Sequence, residues 1–266
     1  MELAGIVAAI GLHVGEMIGG IMTQYAQPRP WLLLSEGGDN TYVSSAMPQK
    51  RNPGLLNNTR AEASDAVAAA EGVFLRAHNV VSGMMDGKSA GKNTGMADTA
   101  SSALTKLRRV IAGIVVNRDR ALEELNLDWT ASQEIADQLM LKHGLPFRIG
   151  HHMASAMVSW ARAHDVRPSD FPYDEMKALY RKEIESEFPD ASPDFPMTEA
   201  EFHSCLDPKS ILEKRQTAGS ANPKETSAML SEQEARIAWY RENTAMARRR
   251  VASAHQALAD AFDAIR

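Results

Sequence analysis

Apolar residues recur along the opening of the chain at alternating spacings of four and three: Leu3, Val7, Ile10, Val14, Met17 and Ile21. That is the period of a helix packed in a bundle, and it predicts one helix over 1–27 with a single buried seam. The helix must end near Gln27-Pro28-Arg29-Pro30, because proline removes a donor and disfavours helical geometry in the residue before it. The seam resumes at Leu56, Ala63, Val67, Ala70, Phe74, Ala77 and Val81, predicting a second helix over 55–81 whose alanines let neighbours approach closely. After a Gly- and Ser-rich break from Ser82 to Gly95, a third is predicted over 99–125, carried by Leu104, Leu107, Ile111, Ile114 and Leu122. Between the first two helices the pattern fails. Residues 35–54 are rich in Ser, Gly, Asn and Pro and read as a long loop, and long loops in compact domains usually serve function.

After Asp128-Trp129-Thr130 the elements shorten. A helix is expected near Ser132 to Lys142, a break at Gly144-Leu145-Pro146, and a helix from Phe147 to about His164. Prolines around 168–172 and 189–196 punctuate further short helices, and Ala228 to Ile265 reads as one long final helix. The expected organisation is therefore all-α. Residues 1–127 form part of a central long-helix bundle with the loop 35–54, residues 128–226 a small helical C-terminal domain, and residues 227–266 a long C-terminal helix.

Composition agrees with helices, since aromatics are only 6% while Met and Ala are plentiful. A net charge of -5 gives no reason to expect nucleic acid, and Arg248-Arg249-Arg250 reads as a solvated helix face. The single cysteine, Cys205, excludes an internal disulfide and offers no Cys/His metal spacing, which fits a reducing cytoplasm. No metal or cofactor is expected. The apolar opening lacks a basic start and carries Glu2, His13 and Glu16, so it reads as a buried helix and not as a signal or membrane segment. His13 and Glu16, three apart, are expected to share a buried hydrogen bond.

Within the loop stands Ser44-Ser45-Ala46-Met47-Pro48-Gln49-Lys50-Arg51-Asn52-Pro53. This segment resembles the signature of the fumarase/aspartase superfamily, Gly-Ser-Ser-x-Met-Pro-x-Lys-x-Asn-Pro, departing only at its leading Gly, where Val43 stands. The resemblance implies a β-elimination in which a proton is removed from the carbon next to a carboxylate. The enediolate-like dianion so formed is costly unless placed donors surround it, and Lys50 and Asn52 can supply them. The resemblance assigns the base to the first serine, Ser44. A serine alkoxide needs backbone N–H groups and nearby cations, and the loop beside Lys50 and Arg51 can offer both. Ser45, Met47, Lys50, Asn52 and Lys92 are the expected substrate-binding residues, Met47 with Pro48 by shaping the loop.

A second region narrows the resemblance. Ile135-Ala136-Asp137, then Gly144-Leu145-Pro146-Phe147-Arg148 and His151, resemble the argininosuccinate lyase pattern, as does Leu206-Asp207-Pro208 through Arg215, Gly219 and Pro223-Lys224-Glu225. His151 and Arg148 are expected to cap or bridge helices. The resemblance covers the second half of the family's usual length, without the half that carries its general-acid histidine. It therefore implies a fragment, split-gene product or cleaved form, completed by an N-terminal half or partner chain within a homotetramer.

Two further places depart from the family. Asn57 stands where a glutamate usually bonds the acid histidine, and an amide cannot stabilise a charged imidazole as a carboxylate does. Met84 and Ser89 occupy the places of a Tyr and a Gln that hold the arginine portion, while Lys92 persists. The expected activity is thus a carbon–nitrogen lyase acting on an N-substituted aspartate, argininosuccinate or better an aminopolycarboxylate such as ethylenediamine-disuccinate, and releasing fumarate. The alternatives are a non-catalytic, crystallin-like use of the fold, or a fumarase, aspartase or adenylosuccinate lyase activity.

Overall fold

The computed structural model describes residues 1–78, 90–127 and 129–265. They form ten α-helices and four strands of two or three residues, as the all-α expectation requires. The chain divides into two compact units, Met1–Glu124 and Leu125–Arg266.

The first unit is built on α1 (Glu2–Tyr25), α2 and α3. Strands β1 (Leu32–Leu34), β2 (Tyr42–Val43) and β3 (Arg51–Asn52) precede α2 (Gly54–His78), and α3 (Ala90–Gly113), β4 (Ile114–Val116) and α4 (Arg118–Leu127) follow. Helix α1 packs against α2 and α3, and α2 against α3. The buried line on α1 is Ala4, Val7, Gly11, Val14, Ile18 and Ile21, so the predicted seam is rotated: Leu3 and Met17 are exposed. Gly11 shows the cause, because a Cβ there would lie 2.7 Å from the Ala63 carbonyl oxygen. Small residues mark the points of closest approach, and large ones such as Leu3 and Met17 are turned aside there. The same holds on α2, where Ala63, Ala66 and Ala70 are buried and Phe74 exposed, and on α3, where Ala100 and Ala103 are buried and Leu104 and Ile111 exposed. Val81, the last residue of the predicted second seam, lies outside the described residues.

The third helix is shorter than predicted. It stops at Gly113, and the β-branched Ile114-Val115-Val116 leave the helix to pair antiparallel with Leu32–Leu34. Such residues lose side-chain freedom in a helix and suit a pleated strand. The chain re-enters a helix after Asn117, whose side-chain oxygen accepts the Arg120 N–H at 3.0 Å and so caps α4. Helix α1 is also long and apolar enough to cross a membrane by length and composition, and 28% of that apolar stretch is buried within the structure.

The second unit holds α5 (Ser132–His143), α6 (Phe147–His164), α7 (Tyr173–Glu187), α8 (Glu199–Leu206), α9 (Pro208–Lys214) and α10 (Pro223–Asp263). Gly144 ends α5 in the left-handed region (φ 67°), with its N–H on the Met140 carbonyl and that of Leu145 on Leu139. Ile135, Leu139, Met153, Met157, Phe171, Tyr180 and Phe202 form the core. Thr198 and Glu201 close a reciprocal cap on α8, Asp207 caps α9, and Asn222 caps α10 while its amide donates to Leu212 and Glu213 carbonyls. Helix α10 starts earlier than predicted, because Asn222-Pro223 supplies both its cap and a first residue pre-set for helix.

Candidate active site

The signature segment is not an irregular loop. Tyr42 pairs with Asn52 and Val43 with Arg51, so β2 and β3 form a small hairpin whose tip is 44–50. Strands of two residues leave no readable period, which is why the sequence pattern missed them. The hairpin is tied at its base: the Leu55 N–H donates to the Asn40 carbonyl, and the Asn40 amide donates to Ser35. Gly54 starts α2 directly beneath Tyr42, where a Cβ would come within 3.0 Å of the ring.

At the tip, the Ser44 Oγ accepts backbone N–H groups of Ala46 at 3.4 Å and Met47 at 3.3 Å. The Lys50 N–H closes the turn on the Met47 carbonyl at 3.0 Å. Two donors aimed at one hydroxyl favour its deprotonated form. Asn52 donates its side-chain amide to the Tyr42 carbonyl at 3.3 Å, holding one end of the hairpin. Ser44 and Asn52 are half-buried, whereas Ser45, Met47 and Lys50 are exposed. Arg51 is engaged by Glu36 at 3.0 Å, while Lys50 makes no ion pair among the described residues.

A groove of about 540 Å³ runs beside the hairpin and is lined by Lys50, Gln49, Pro48, Val43, Arg51 and Glu36, among others. A second cavity of about 400 Å³ is lined by Asn57, Asn58, Tyr42, Lys106 and Arg109, among others. The two share Thr41 and Tyr42. Ser44, Ser45, Met47, Asn52 and Lys92 line neither, and Lys92 is exposed in the first turn of α3. Lys106 and Arg109 are cations that no motif marks, since α3 reads only as an apolar seam. Lys106 is paired with Glu62, whose carboxyl is held below the usual range by hydrogen bonds from Lys106 and Ser102. Arg109 is paired with Asp39 at 3.2 Å.

Several other expectations change. His13 and Glu16 lie 3.9 Å apart and almost fully exposed, so theirs is no buried hydrogen bond. His151 is exposed beside Phe147, and neither it nor Arg148 makes a bridging hydrogen bond or ion pair among the described residues. Arg215 does bridge, reaching the buried Glu134 at 3.3 Å and Asp137 at 3.5 Å. Met84 and Ser89 lie outside the described residues. Among the described residues no three His, Cys, Asp or Glu converge on a common point. Cys205 is buried, and that burial pushes its thiol up to about 11.

Residues 129–213 match the family model described as argininosuccinate lyase C-terminal. The argininosuccinate lyase of Bacillus subtilis is 28% identical over 205 residues, 75% of this chain and 41% of that protein. That of Methanothermobacter thermautotrophicus is 28% identical over 138 residues, 48% of this chain and 28% of its own length. Among solved structures, a variant of EDDS lyase with bound fumarate has a TM-score of 0.78 at 20% identity, and EDDS lyase in complex with formate has 0.75 at 20%. Each covers 97% of this chain, while the chain covers 50% of each. The chain thus spans half or less of the proteins it matches.

Proposed function

The chain belongs to the argininosuccinate lyase/fumarase superfamily, matching its C-terminal half, and on that premise we propose that it is the signature-bearing part of a carbon–nitrogen lyase. The substrate is an N-substituted aspartate. Ser44 Oγ takes the proton from the carbon beside the carboxylate, and the electron pair left behind spreads into that carboxylate as a dianion. Lys50 and Asn52 hold the dianion. The pair then returns to form the carbon–carbon double bond as the C–N bond breaks, leaving fumarate and an amine that takes up a proton. This reading assigns no residue of this chain to that last proton. The observation that carries the proposal is the pair of backbone N–H groups on Ser44 Oγ at a hairpin tip. They favour the oxygen anion that a serine base requires.

Lys50 supports the reading because it lines the 540 Å³ groove and makes no ion pair among the described residues. Asn57, a neutral amide lining the second cavity, favours the rival non-catalytic reading. Fumarate release decides between them. The chain, mixed with the N-terminal half of an argininosuccinate lyase, should release fumarate from an N-substituted aspartate, and faster from an aminopolycarboxylate than from argininosuccinate. No fumarate from any substrate of this class would favour the non-catalytic reading. Equal rates on both substrates would remove the aminopolycarboxylate preference.

A further inference from the structure

Helix α10 runs unbroken from Pro223 to Asp263, and none of its residues is buried. Along it Thr244, Ala247, Val251, Ala254, Leu258 and Ala261 follow at spacings of three and four. A repeat averaging 3.5 keeps one seam turned toward a partner helix along a supercoil. That seam is open to solvent, with Val251 57% and Leu258 59% exposed.

The seam alternates in size. One position of the repeat takes Thr244, Val251 and Leu258, and the other takes Ala247, Ala254 and Ala261. Two parallel copies would set alanine against alanine and leave voids, whereas two antiparallel copies set each bulky residue against an alanine. Charge selects the same direction. Parallel copies bring Arg236 of one beside Arg241 of the other, a repulsive flank. Charge also selects the register. A two-fold axis at Arg249 would oppose Arg248 to its own counterpart and Arg250 to its own. Moved to lie between Ala252 and Ser253, the axis sets Val251 against the second copy's Ala254, Leu258 against its Ala247, and Thr244 against its Ala261. Arg248 then flanks His255, Arg250 flanks Ala257, and Arg241 lies against the exposed Phe262 ring, a favourable cation–aromatic contact.

We propose that α10 is a self-association surface, on which two copies of this chain pair as an antiparallel, isologous coiled coil centred between Ala252 and Ser253. The contact is distinct from the apolar faces of α1 and α3 and does not depend on the lyase reading. About fourteen residues per copy enter it, which at the area per residue of a standard interface buries about 900 Å² in all. That size gives a weak pair, formed in proportion to concentration.

Disulfide trapping on the full chain tests it, with Cys205 silent because it is buried. Val251→Cys and Ala254→Cys variants, each reduced, are mixed in a glutathione redox buffer and resolved on a non-reducing gel. The mixture should form disulfide dimer about an order of magnitude faster than either variant alone, since the pairing raises the effective thiol concentration. Leu258→Cys mixed with Ala247→Cys should behave alike. Faster trapping of Val251→Cys with itself would show a parallel pair and overturn the proposal. So would preferential trapping of Leu258→Cys with Ala254→Cys, which marks another register. Equal slow trapping in every mixture, with far-ultraviolet circular dichroism unchanged, would show no pairing through α10.

Discussion

The two compact units bury their helices by opposite means. In the first, long helices meet along alanine and glycine, with Ala63, Ala66, Ala70, Ala100 and Ala103 all but inaccessible. In the second, short helices close around Phe171, Tyr180, Phe202 and a set of methionines, with rings meeting edge-on. Large side chains let short elements fill a core among themselves. Small ones bring long helices close and leave part of the large residues outside, as Leu3, Ile6, Leu12, Leu104 and Ile111 show, while Ile18, Leu55, Leu56 and Val110 stay buried. The second unit also contains the stretch that the argininosuccinate lyase C-terminal model matches, whereas the candidate chemistry lies in the first, on a hairpin of two-residue strands. Packing and chemistry are therefore separable here by mutation.

The largest effect expected from that separation is on rate. Ser44→Ala should lower kcat for fumarate release by about 10²–10⁴-fold while leaving KM and the thermal midpoint nearly unchanged, because the hydroxyl acts in the transition state. A drop of less than about threefold would remove Ser44 from the base role, since general bases contribute far more. Phe202→Ala should do the reverse. It empties the centre of the second unit and should cost about 3–5 kcal/mol in urea unfolding, with Ser44 and its hairpin unaffected. Equal loss of hairpin protection in hydrogen exchange would show the units to be coupled.

The smallest effect concerns a single cap. Asp207 accepts the Ser210 N–H at 2.9 Å, and its hydrogen bonds with Ser210 hold the carboxyl below its usual value. Asp207→Ala should cost about 1 kcal/mol at neutral pH. Because the folded carboxyl is the more acidic, its contribution is complete above the unfolded value of ~3.9 and is lost as pH falls through the folded one. Wild type and variant should thus converge in stability at strongly acid pH. A gap that persists there would assign the loss to packing and not to the charged cap.

Much of the helical layout is legible in the sequence because it depends on local chemistry. Prolines after residue 27 and Gly144-Leu145-Pro146 end helices through backbone geometry that neighbours in the chain dictate. The helix expected from Phe147, after the Gly144-Leu145-Pro146 break, to about His164 is observed over Phe147–His164. The candidate chemistry was legible as well, but only as a string of residues 44–53.

What the sequence could not determine was every feature set by distance across the fold. The rotation of the α1 seam was decided by Gly11 meeting Ala63, a contact between residues far apart in the chain. Hydrophobicity favours Leu3 and Met17 as core, but close approach of two backbones admits only small side chains at the contact. Ile114–Val116 read as helix until Leu32–Leu34 offers them a strand partner. The hairpin followed the same rule, since Tyr42–Val43 and Arg51–Asn52 are strands only because each has the other to pair with. A hydrogen-bonded ladder belongs to two segments at once, so no pattern within either segment reports it.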